Sequence, residues 1–259
     1  MLSARTLTGM GGVRILVVQP SKLDPPGELG EWLLAAGAEL DVVLPAEQEL
    51  PAGFDDHQGL VVLGGEMGVY DDAEHPWLAG LRALLSKAVG ERVPVLAVCL
   101  GAQLLAVATG GQVRPARKGP EAGTLLVAKR DAAAEDPLLG PVPLTPDVLQ
   151  FHTDEISSLP PSAQLLASSP KCDNQAFRVG DCAYGLQFHI ETTPDMVLEW
   201  ARLSPEVAET VRPGQLEVEH LREFHADLAE TWQPVAERFV RLVATPPEER
   251  TTSRFLPLA

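Results

Sequence analysis

The sequence contains few cysteines, and they are not arranged as a disulfide framework or a metal site requires. The chain of 259 residues has three, Cys99, Cys172 and Cys182, with no CxxC pair and no two histidines four residues apart. An odd number of thiols at no metal-like spacing argues against a disulfide-stapled secreted domain and against a zinc finger. We therefore expect reduced thiols, as is usual in the cytoplasm.

Basic residues are also few, and long apolar runs are absent from the sequence. Lys and Arg number 20 against 36 Asp and Glu, which gives a formal net charge of −16. A nucleic-acid-binding protein needs a basic face, and an acidic surface disfavours anionic membranes, so neither partner is expected. The stretch MLSARTLTGMGG lacks the apolar core of a signal peptide, and no run is long enough to span a bilayer. The expected localisation is cytoplasmic, with residues 1–12 as a disordered extension.

The first half of the chain alternates short apolar runs with amphipathic segments. Four runs rich in β-branched residues predict buried strands at Val13–Val18, Glu39–Leu44, Gly59–Leu63 and Val93–Val98. Helices are predicted at 27–37, Pro76–Val89 and Leu100–Thr109. Continuous apolar strands that alternate with helices predict a three-layer α/β fold, with a mostly parallel, flavodoxin-like sheet covered by helices on both faces.

The second half has a different pattern. Turns separate short predicted strands, which indicates an antiparallel extension of the sheet: Thr124–Ala128, Val148–His152, Gln164–Ser168, Gln175–Val179 and Tyr184–Phe188. From about Thr193 the sequence is mostly helical, and an apolar stripe there predicts packing against the core: Leu216, Leu221, Phe224 and Leu228. Residues 13–244 are expected to form a single domain, followed by a flexible tail at 245–259.

Cys99 lies where a predicted strand turns into a predicted helix. Ala97 and Gly101 flank it in the stretch AVCLG, a loose version of G-x-C-x-G. Such a turn exposes the side chain and places it at a helix amino terminus, which favours a thiolate. Sites in parallel sheets form beyond the carboxyl ends of strands, where Gly64 and Gly65 also lie. On the local pattern alone, a buried cysteine acting as a small apolar side chain is the commoner case.

A nucleophilic cysteine needs a base, and His189 has the most suggestive neighbours among the six histidines. Glu191 follows it by two residues, so on a continuing strand the two side chains would point to the same side. A carboxylate there could orient the imidazole, although an edge-strand histidine beside a solvated glutamate also fits. His152 closes another predicted strand. The remaining histidines are expected in loops or on a solvated helix face: His57, His75, His220 and His225.

Four motifs in one order resemble the class I glutamine amidotransferase family, in particular its GMP-synthetase-like glutaminase subgroup. They are VLGGEMGVYDDAEHPWL (62–78), VPVLAVCLGAQLLAVATGGQV (93–113), FHTDEISSLP (151–160), and NQAFRVG (174–180) with YGLQFHIE (184–191). The resemblance extends from about Arg14 to Met196.

The resemblance implies a Cys-His-Glu triad of Cys99, His189 and Glu191, as nucleophile, base and orienting carboxylate. It implies an oxyanion hole from the backbone N–H groups of Gly65 and Leu100, beside Gly64, and a substrate contact from Gln103. It also implies that His152 and Asp154 lie near the pocket rim. The implied chemistry is attack on a glutamine side-chain amide through a γ-glutamyl thioester, with no metal or organic cofactor.

Three positions depart from the family pattern. Ala97 replaces the first glycine of the G-x-C-x-G pattern in the strand-to-helix turn at Cys99, which we call the elbow. Ile190 stands where relatives often have proline, and Ala102 stands where many carry histidine. None of these changes removes a reacting group. Cys172 and Cys182 match no catalytic position and are expected to be structural.

Three functions fit the sequence. The favoured one is an amidase that releases ammonia from glutamine, acting alone or for a separate synthetase subunit, because no nucleotide-binding motif is present in this chain. The second is a hydrolase or peptidase of another γ-glutamyl amine or peptide, which an open pocket would favour. The third is a non-catalytic binding protein that keeps the fold. The oligomeric state has no signature in the sequence.

Overall fold

A computed structural model describes residues 12–250 of the chain. Nearly all of the predicted amino-terminal extension, residues 1–11, lies outside the described residues, as does the tail from 251 onward. The part of the tail that is described contacts the domain through Arg250, which donates a hydrogen bond to the carbonyl oxygen of Arg92 at 2.7 Å. A second bond of the same length joins Arg250 to the Thr245 carbonyl within the tail.

Twelve strands and six α-helices form within residues 12–250. The strands are β1 (Val13–Val18), β2 (Ala38–Val43), β3 (Gly59–Val62), β4 (Val95–Val98), β5 (Gln112–Pro115), β6 (Glu121–Leu126), β7 (Ala128–Lys129), β8 (Asp147–His152), β9 (Asp154–Ser158), β10 (Ala163–Ser168), β11 (Ala176–Val179) and β12 (Ala183–Leu186). The helices are α1 (Gly27–Ala35), α2 (Trp77–Gly90), α3 (Leu100–Ala108), α4 (Pro194–Leu203), α5 (Pro205–Ala208) and α6 (Val218–Ala244). None of these helices combines the length and the apolar composition needed to cross a bilayer.

The central sheet has eight strands in the order β2-β1-β3-β4-β12-β11-β10-β7. The first five are parallel, and the last three continue the sheet with antiparallel pairings. In β1, Ile15 and Val17 pack on one face while Leu16 and Val18 pack on the other, and all four are fully buried. Helices α1 and α6 contact each other on the first face, and α2 and α3 do so on the second. The prediction of a three-layer, mostly parallel α/β fold with an antiparallel extension is confirmed.

Two small antiparallel sheets lie beside the central one, formed by β5 with β9 and by β6 with β8. The strand predicted at Thr124–Ala128 runs over Glu121–Leu126 and pairs with β8 instead of extending the central sheet. Strands β5 and β9 were not predicted from the sequence. Both are short and partly polar, and β5 ends at a proline, so neither carries an apolar period that distinguishes a strand from a loop.

The carboxyl-terminal helix packs against the core, as predicted. Leu221, Phe224 and Leu228 are buried in the core cluster on the α1 side of the sheet, and Leu216 packs against it. The expectation that His225 is solvated was wrong. His225 is 7% exposed, donates from Nδ1 to the Leu221 carbonyl at 2.6 Å, and accepts from the Thr192 hydroxyl at 3.1 Å. His220 bonds the hydroxyl of Thr124 through Nε2 at 2.9 Å.

Candidate active site

Three adjacent parallel strands deliver the candidate residues to one edge of the sheet. Strand β4 lies between β3 and β12, with Ala97 in register with both Val62 and Gly185. The chain continues from β3 to Gly64, from β4 to Cys99 and from β12 to His189. Because carboxyl ends of parallel strands meet at the same edge, residues far apart in sequence become neighbours there.

Cys99 occupies a sharp turn between β4 and α3. Its backbone has φ of 49° and ψ of −108°, a conformation that a residue with a side chain rarely adopts and that costs about 1–3 kcal/mol. The turn is held by hydrogen bonds from the Cys99 amide to the Leu186 carbonyl at 2.8 Å and from the Gln103 amide to the Cys99 carbonyl at 3.0 Å. Gly101 is required, because a Cβ there would lie 2.3 Å from the Val62 carbonyl oxygen.

The turn presents the Cys99 side chain to a cavity of about 670 Å³. The thiol is 7% exposed, and it shares the cavity wall with His189, Gln103 and Gly65. The side-chain amide of Gln187 lies 3.8 Å from its sulfur. Cys99 is therefore accessible from the cavity rather than enclosed by apolar side chains alone.

His189 and Glu191 form a buried hydrogen-bonded pair. His189 Nδ1 lies 2.6 Å from Glu191 Oε1, and the side chains are 2% and 0% exposed. The other carboxylate oxygen accepts from the Ile190 amide at 2.9 Å, a bond that proline at this position could not donate. Strand β12 ends at Leu186, before this pair. His189 and Glu191 therefore do not lie on a continuing strand, contrary to the expectation from the sequence. A single bridge, from the His189 amide to the Leu149 carbonyl at 2.8 Å, fixes this segment.

The pKa of His189 is raised well above its ordinary value. Burial alone would lower it, but the charges of Glu191 and of a Cys99 thiolate raise it by more. Nε2 is on the ring edge opposite the bond to Glu191; it is buried and makes no hydrogen bond of ordinary length within residues 12–250, but the Cys99 side chain is close enough to help raise the pKa of the ring. This imidazole can therefore carry a proton near neutral pH and deliver it from Nε2.

Gly64, Gly65 and Leu100 lie together beside the elbow. A Cβ on Gly65 would lie 3.1 Å from the Leu100 side chain, and one on Gly64 would lie 3.3 Å from His189 Cε1. Gly65 lines the cavity, whereas the Leu100 side chain is buried. The amide of Leu100 begins α3, where the helix dipole favours negative charge.

Gln103, His152 and Asp154 also line the cavity. Gln103 Nε2 lies 3.2 Å from Gln187 Oε1 and 3.5 Å from the Asp154 carbonyl oxygen. His152 donates from Nδ1 to that same carbonyl at 2.8 Å, and its Nε2 lies 3.5 Å from Glu121. The three residues thus form one connected side of the cavity wall.

Asp24 is a cavity residue that was not predicted from the sequence. It lies on the loop after β1 and is only 6% exposed. A Cβ on Gly64 would lie 2.8 Å from its Oδ2, which places the carboxyl close to His189. Burial raises the pKa of Asp24 to about 7, and the charges of Glu191 and Glu66 add to the effect, while His189 opposes it. The sequence feature that could have identified Asp24 as a site residue is its position beyond the carboxyl end of β1.

The remaining departures and thiols lie away from the cavity. Ala97 and Ala102 are fully buried. Cys172 and Cys182 are buried as well, and neither lines the cavity. Burial raises the pKa of the Cys172 thiol to about 12 and raises that of Cys182. Both thiols are therefore poor nucleophiles.

The strain at Cys99 predicts an inverted order of stability between two variants. Glycine normally destabilises a fold relative to alanine, by about 0.5–1 kcal/mol. At this positive φ we expect Cys99→Gly to be more stable than Cys99→Ala by about 1 kcal/mol, because both lose the sulfur and only alanine keeps the strain. Urea unfolding of the two variants measures the difference, and a more stable alanine variant would contradict the strained turn.

The buried carboxyl of Asp24 predicts that part of the stability depends on pH. Its pKa rises from 3.8 in the unfolded chain to about 7 in the fold, so the folded state holds the proton more tightly and loses stability as pH rises through that window. We expect Asp24→Asn to gain about 2–3 kcal/mol relative to wild type between about pH 5 and pH 8. Urea unfolding at both pH values tests this, and a difference independent of pH would exclude a buried carboxyl that titrates in this range.

Comparisons with known proteins show the family to which the chain is similar. The family model described as glutamine amidotransferase class-I matches residues 29–196. Gamma-glutamyl peptidase 4 of Arabidopsis thaliana is 28% identical over 211 residues, which cover 78% of this chain and 79% of that protein. A GMP synthase (glutamine-hydrolyzing) of Thermomicrobium roseum is 36% identical over 135 residues, which cover 52% of this chain but only 23% of the synthase.

Solved structures are similar to this chain over a greater share of its length. The crystal structure of a glutamine amidotransferase from Methylobacillus flagellatus superposes with a TM-score of 0.75 at 31% identity, and the match covers 91% of this chain and 95% of that one. The family model covers well over half of the chain and includes both the strand that precedes Cys99 and the segment that carries His189. The chain therefore belongs to the class I glutamine amidotransferase family.

Proposed function

We propose that the protein is a cysteine-dependent amidase that hydrolyses the γ-amide bond of a γ-glutamyl compound. The observation that carries the proposal is the strained presentation of Cys99 to a cavity shared with His189, whose Nδ1 is bound to Glu191. The strained turn at Cys99 and the buried Nε2 of His189 both lower the stability of the fold. A non-catalytic binding protein would have no reason to keep these two features.

The proposed reaction proceeds in two steps. The Cys99 thiolate attacks the γ-carbonyl carbon, and the Gly65 and Leu100 amides stabilise the oxyanion, an effect worth roughly 3–4 kcal/mol per donor in other enzymes. The C–N bond breaks as His189 gives its Nε2 proton to the departing nitrogen. Water, deprotonated by the same imidazole, then cleaves the γ-glutamyl thioester to release glutamate and restore the thiol. Glu191 holds the imidazole and stabilises its cationic form.

The size of the cavity favours a γ-glutamyl amine over glutamine as substrate. At about 670 Å³ it falls in the range of pockets that hold drug-sized ligands, and glutamine is much smaller than these. The similarity to a gamma-glutamyl peptidase supports a γ-glutamyl substrate whose leaving group is larger than ammonia.

Glutamine hydrolysis with release of ammonia to a separate synthetase subunit is the second candidate. The similarity to GMP synthases supports it, and the matched segment leaves most of those proteins, including any synthetase part, without a counterpart in this chain. The two candidates share one triad and differ only in the leaving group.

A direct assay distinguishes them. The protein is incubated with glutamine and with γ-glutamyl amines, and the release of ammonia or amine is measured. We expect turnover of both classes with a higher kcat/KM for the amines, and loss of turnover in His189→Ala. The control variant His75→Ala changes a loop histidine outside the cavity and should retain activity. Undiminished activity in His189→Ala would falsify the triad.

A further inference from the structure

The wall of the cavity is lined by acidic side chains and by no lysine or arginine among the described residues. Its carboxylates are Asp24, Glu66, Asp71, Asp154 and Glu206. Carboxylates that face one another across a cavity raise each other's pKa, and this is seen for Asp154, whose pKa is raised by burial and by the charge of Asp71. A cation in the cavity would relieve this repulsion, whereas an anion would add to it.

Asp24 is the most deeply buried carboxyl group of this set. It is 6% exposed and forms no ion pair with a lysine or arginine of residues 12–250. The neighbouring His189 cation offsets part of the cost of burying this carboxylate, but burial outweighs it and the pKa of Asp24 stays raised, so a further cation beside it would be stabilising. The carboxyl lies beside His189, the residue that gives a proton to the leaving nitrogen. Asp24 is therefore on the leaving-group side of the cavity.

An aromatic surface continues from Asp24 on that same side. The Trp200 indole lies with its centroid 4.8 Å from that of His189 and 5.6 Å from that of Phe151, and its Nε1 donates to the Leu23 carbonyl at 3.0 Å. Six residues beyond Trp200 the chain places Glu206 on the cavity wall. Trp200 is only 6% exposed, but it lines the cavity, and carboxylates beside a cavity-lining aromatic side chain are the chemistry that recognises an organic ammonium group.

The geometry of the carboxylates favours an organic cation over a metal ion. Across the described part of the chain, no three side chains of His, Cys, Asp or Glu are close enough to bind one metal ion together. An ammonium group needs no such set of three ligands, because two carboxylates and an aromatic side chain are enough to bind it.

We propose that the preferred substrates are γ-glutamyl amides of diamines or polyamines, whose free ammonium group lies against Asp24, Trp200 and Glu206. This rests on the proposed amidase function and adds the charge of the leaving group. Cys99 sulfur bonds to the γ-carbonyl carbon, the C–N bond breaks, and the amine leaves with the proton from His189. Water then cleaves the thioester, so that the products are glutamate and the free diamine.

Three probes of matched length test the charge preference. They are γ-glutamyl-1,4-diaminobutane, γ-glutamyl-butylamine and γ-glutamyl-4-aminobutyrate, whose leaving groups end in an ammonium, a methyl and a carboxylate. We expect kcat/KM for the cationic probe to exceed that for the neutral probe by at least about tenfold, and the anionic probe to be slowest. The preference should shrink as salt is raised, since charges near the mouth of the cavity are screened.

Matched variants locate the effect. Glu206→Gln should reduce the ratio of cationic to neutral kcat/KM severalfold, and Asp24→Asn should reduce it further because that carboxyl is buried. Glu209→Gln makes the same chemical change nearby, at an exposed position outside the cavity, and should leave the ratio unchanged. The ratio is unaffected by a uniform loss of activity, so a partly unfolded variant does not imitate the result.

The outcomes separate the two proposals. Equal kcat/KM for the three probes, or a faster anionic probe, overturns the diamine assignment and leaves the amidase function intact. If both Asp24→Asn and Glu206→Gln keep the preference for the cationic probe, these two carboxylates do not bind the ammonium group, and the assignment is overturned. Failure to cleave any of the three probes or glutamine overturns the amidase function and with it this inference.

Discussion

Cys99→Ser is expected to reduce amide hydrolysis by roughly 10⁴- to 10⁶-fold, the range seen when a nucleophile is removed from other triads. A hydroxyl is far less acidic than a thiol, and a site arranged around a thiolate and a protonated imidazole does not deprotonate it. The substitution changes one atom at a position that is already nearly buried, so the free energy of unfolding should change little. Steady-state kinetics and urea unfolding of the purified variant measure the two effects.

Cys182→Ser is the matched control for this prediction. The Cys182 sulfur lies 3.3 Å from the Arg92 carbonyl oxygen, and a serine hydroxyl can donate to the same acceptor. Because Cys182 lies outside the cavity, the control should retain wild-type kcat/KM. If Cys99→Ser hydrolysed substrate at a rate within about tenfold of wild type, Cys99 could not be the nucleophile.

Glu191→Gln is expected to lower kcat by roughly 10²- to 10⁴-fold, as loss of the orienting carboxylate does in other triads. Glu191 is fully buried, and both of its oxygens accept hydrogen bonds, from His189 Nδ1 and from the Ile190 amide. Glutamine keeps the shape, but it removes the charge that stabilises the imidazolium, and it can present an N–H group to Nδ1 where an acceptor is needed.

The same substitution should change the pH profile. The charge of Glu191 is a main cause of the raised pKa of His189, so the glutamine variant lowers that pKa. The imidazolium that protonates the leaving nitrogen is then lost at a lower pH, and the upper limb of the pH–rate profile moves down. Glu199→Gln, an exposed change on α4, should leave both kcat and the profile as in wild type. An unchanged upper limb in Glu191→Gln would mean that this carboxylate does not govern the proton on His189.

The positions of Cys99 and His189 near strand ends could be predicted because the strands that precede them are buried on both faces. Such strands are continuous apolar runs: Val98 ends the first one, as predicted, whereas the strand predicted to end at Phe188 ends at Leu186. Adjacent parallel strands then bring Cys99 and His189 to one edge of the sheet, although about ninety residues separate them. The neighbours of the Cys99 thiol could therefore be predicted more reliably than the bounds of the strands in the two small sheets.

The acidic side chains that line the cavity could not be predicted together in this way, because no local sequence pattern connects them. Trp200 donates to the carbonyl of Leu23 across 177 positions, and this contact exists only after α4 docks on the loop after β1. An isolated aspartate in a proline-rich loop has the ordinary signature of a turn residue. The buried state of Asp24, and hence its raised pKa, is a property of the tertiary packing alone.

The most direct test of the central claim is covalent labelling with an electrophilic glutamine analogue, a chloroketone, followed by peptide mapping. A thiolate activated by His189 predicts one label per chain, located on Cys99 and prevented by excess substrate, with Cys172 and Cys182 unmodified. Equal labelling of all three cysteines, or a Cys99 that stays unmodified while the protein turns over substrate, would contradict the claim that Cys99 is the activated nucleophile.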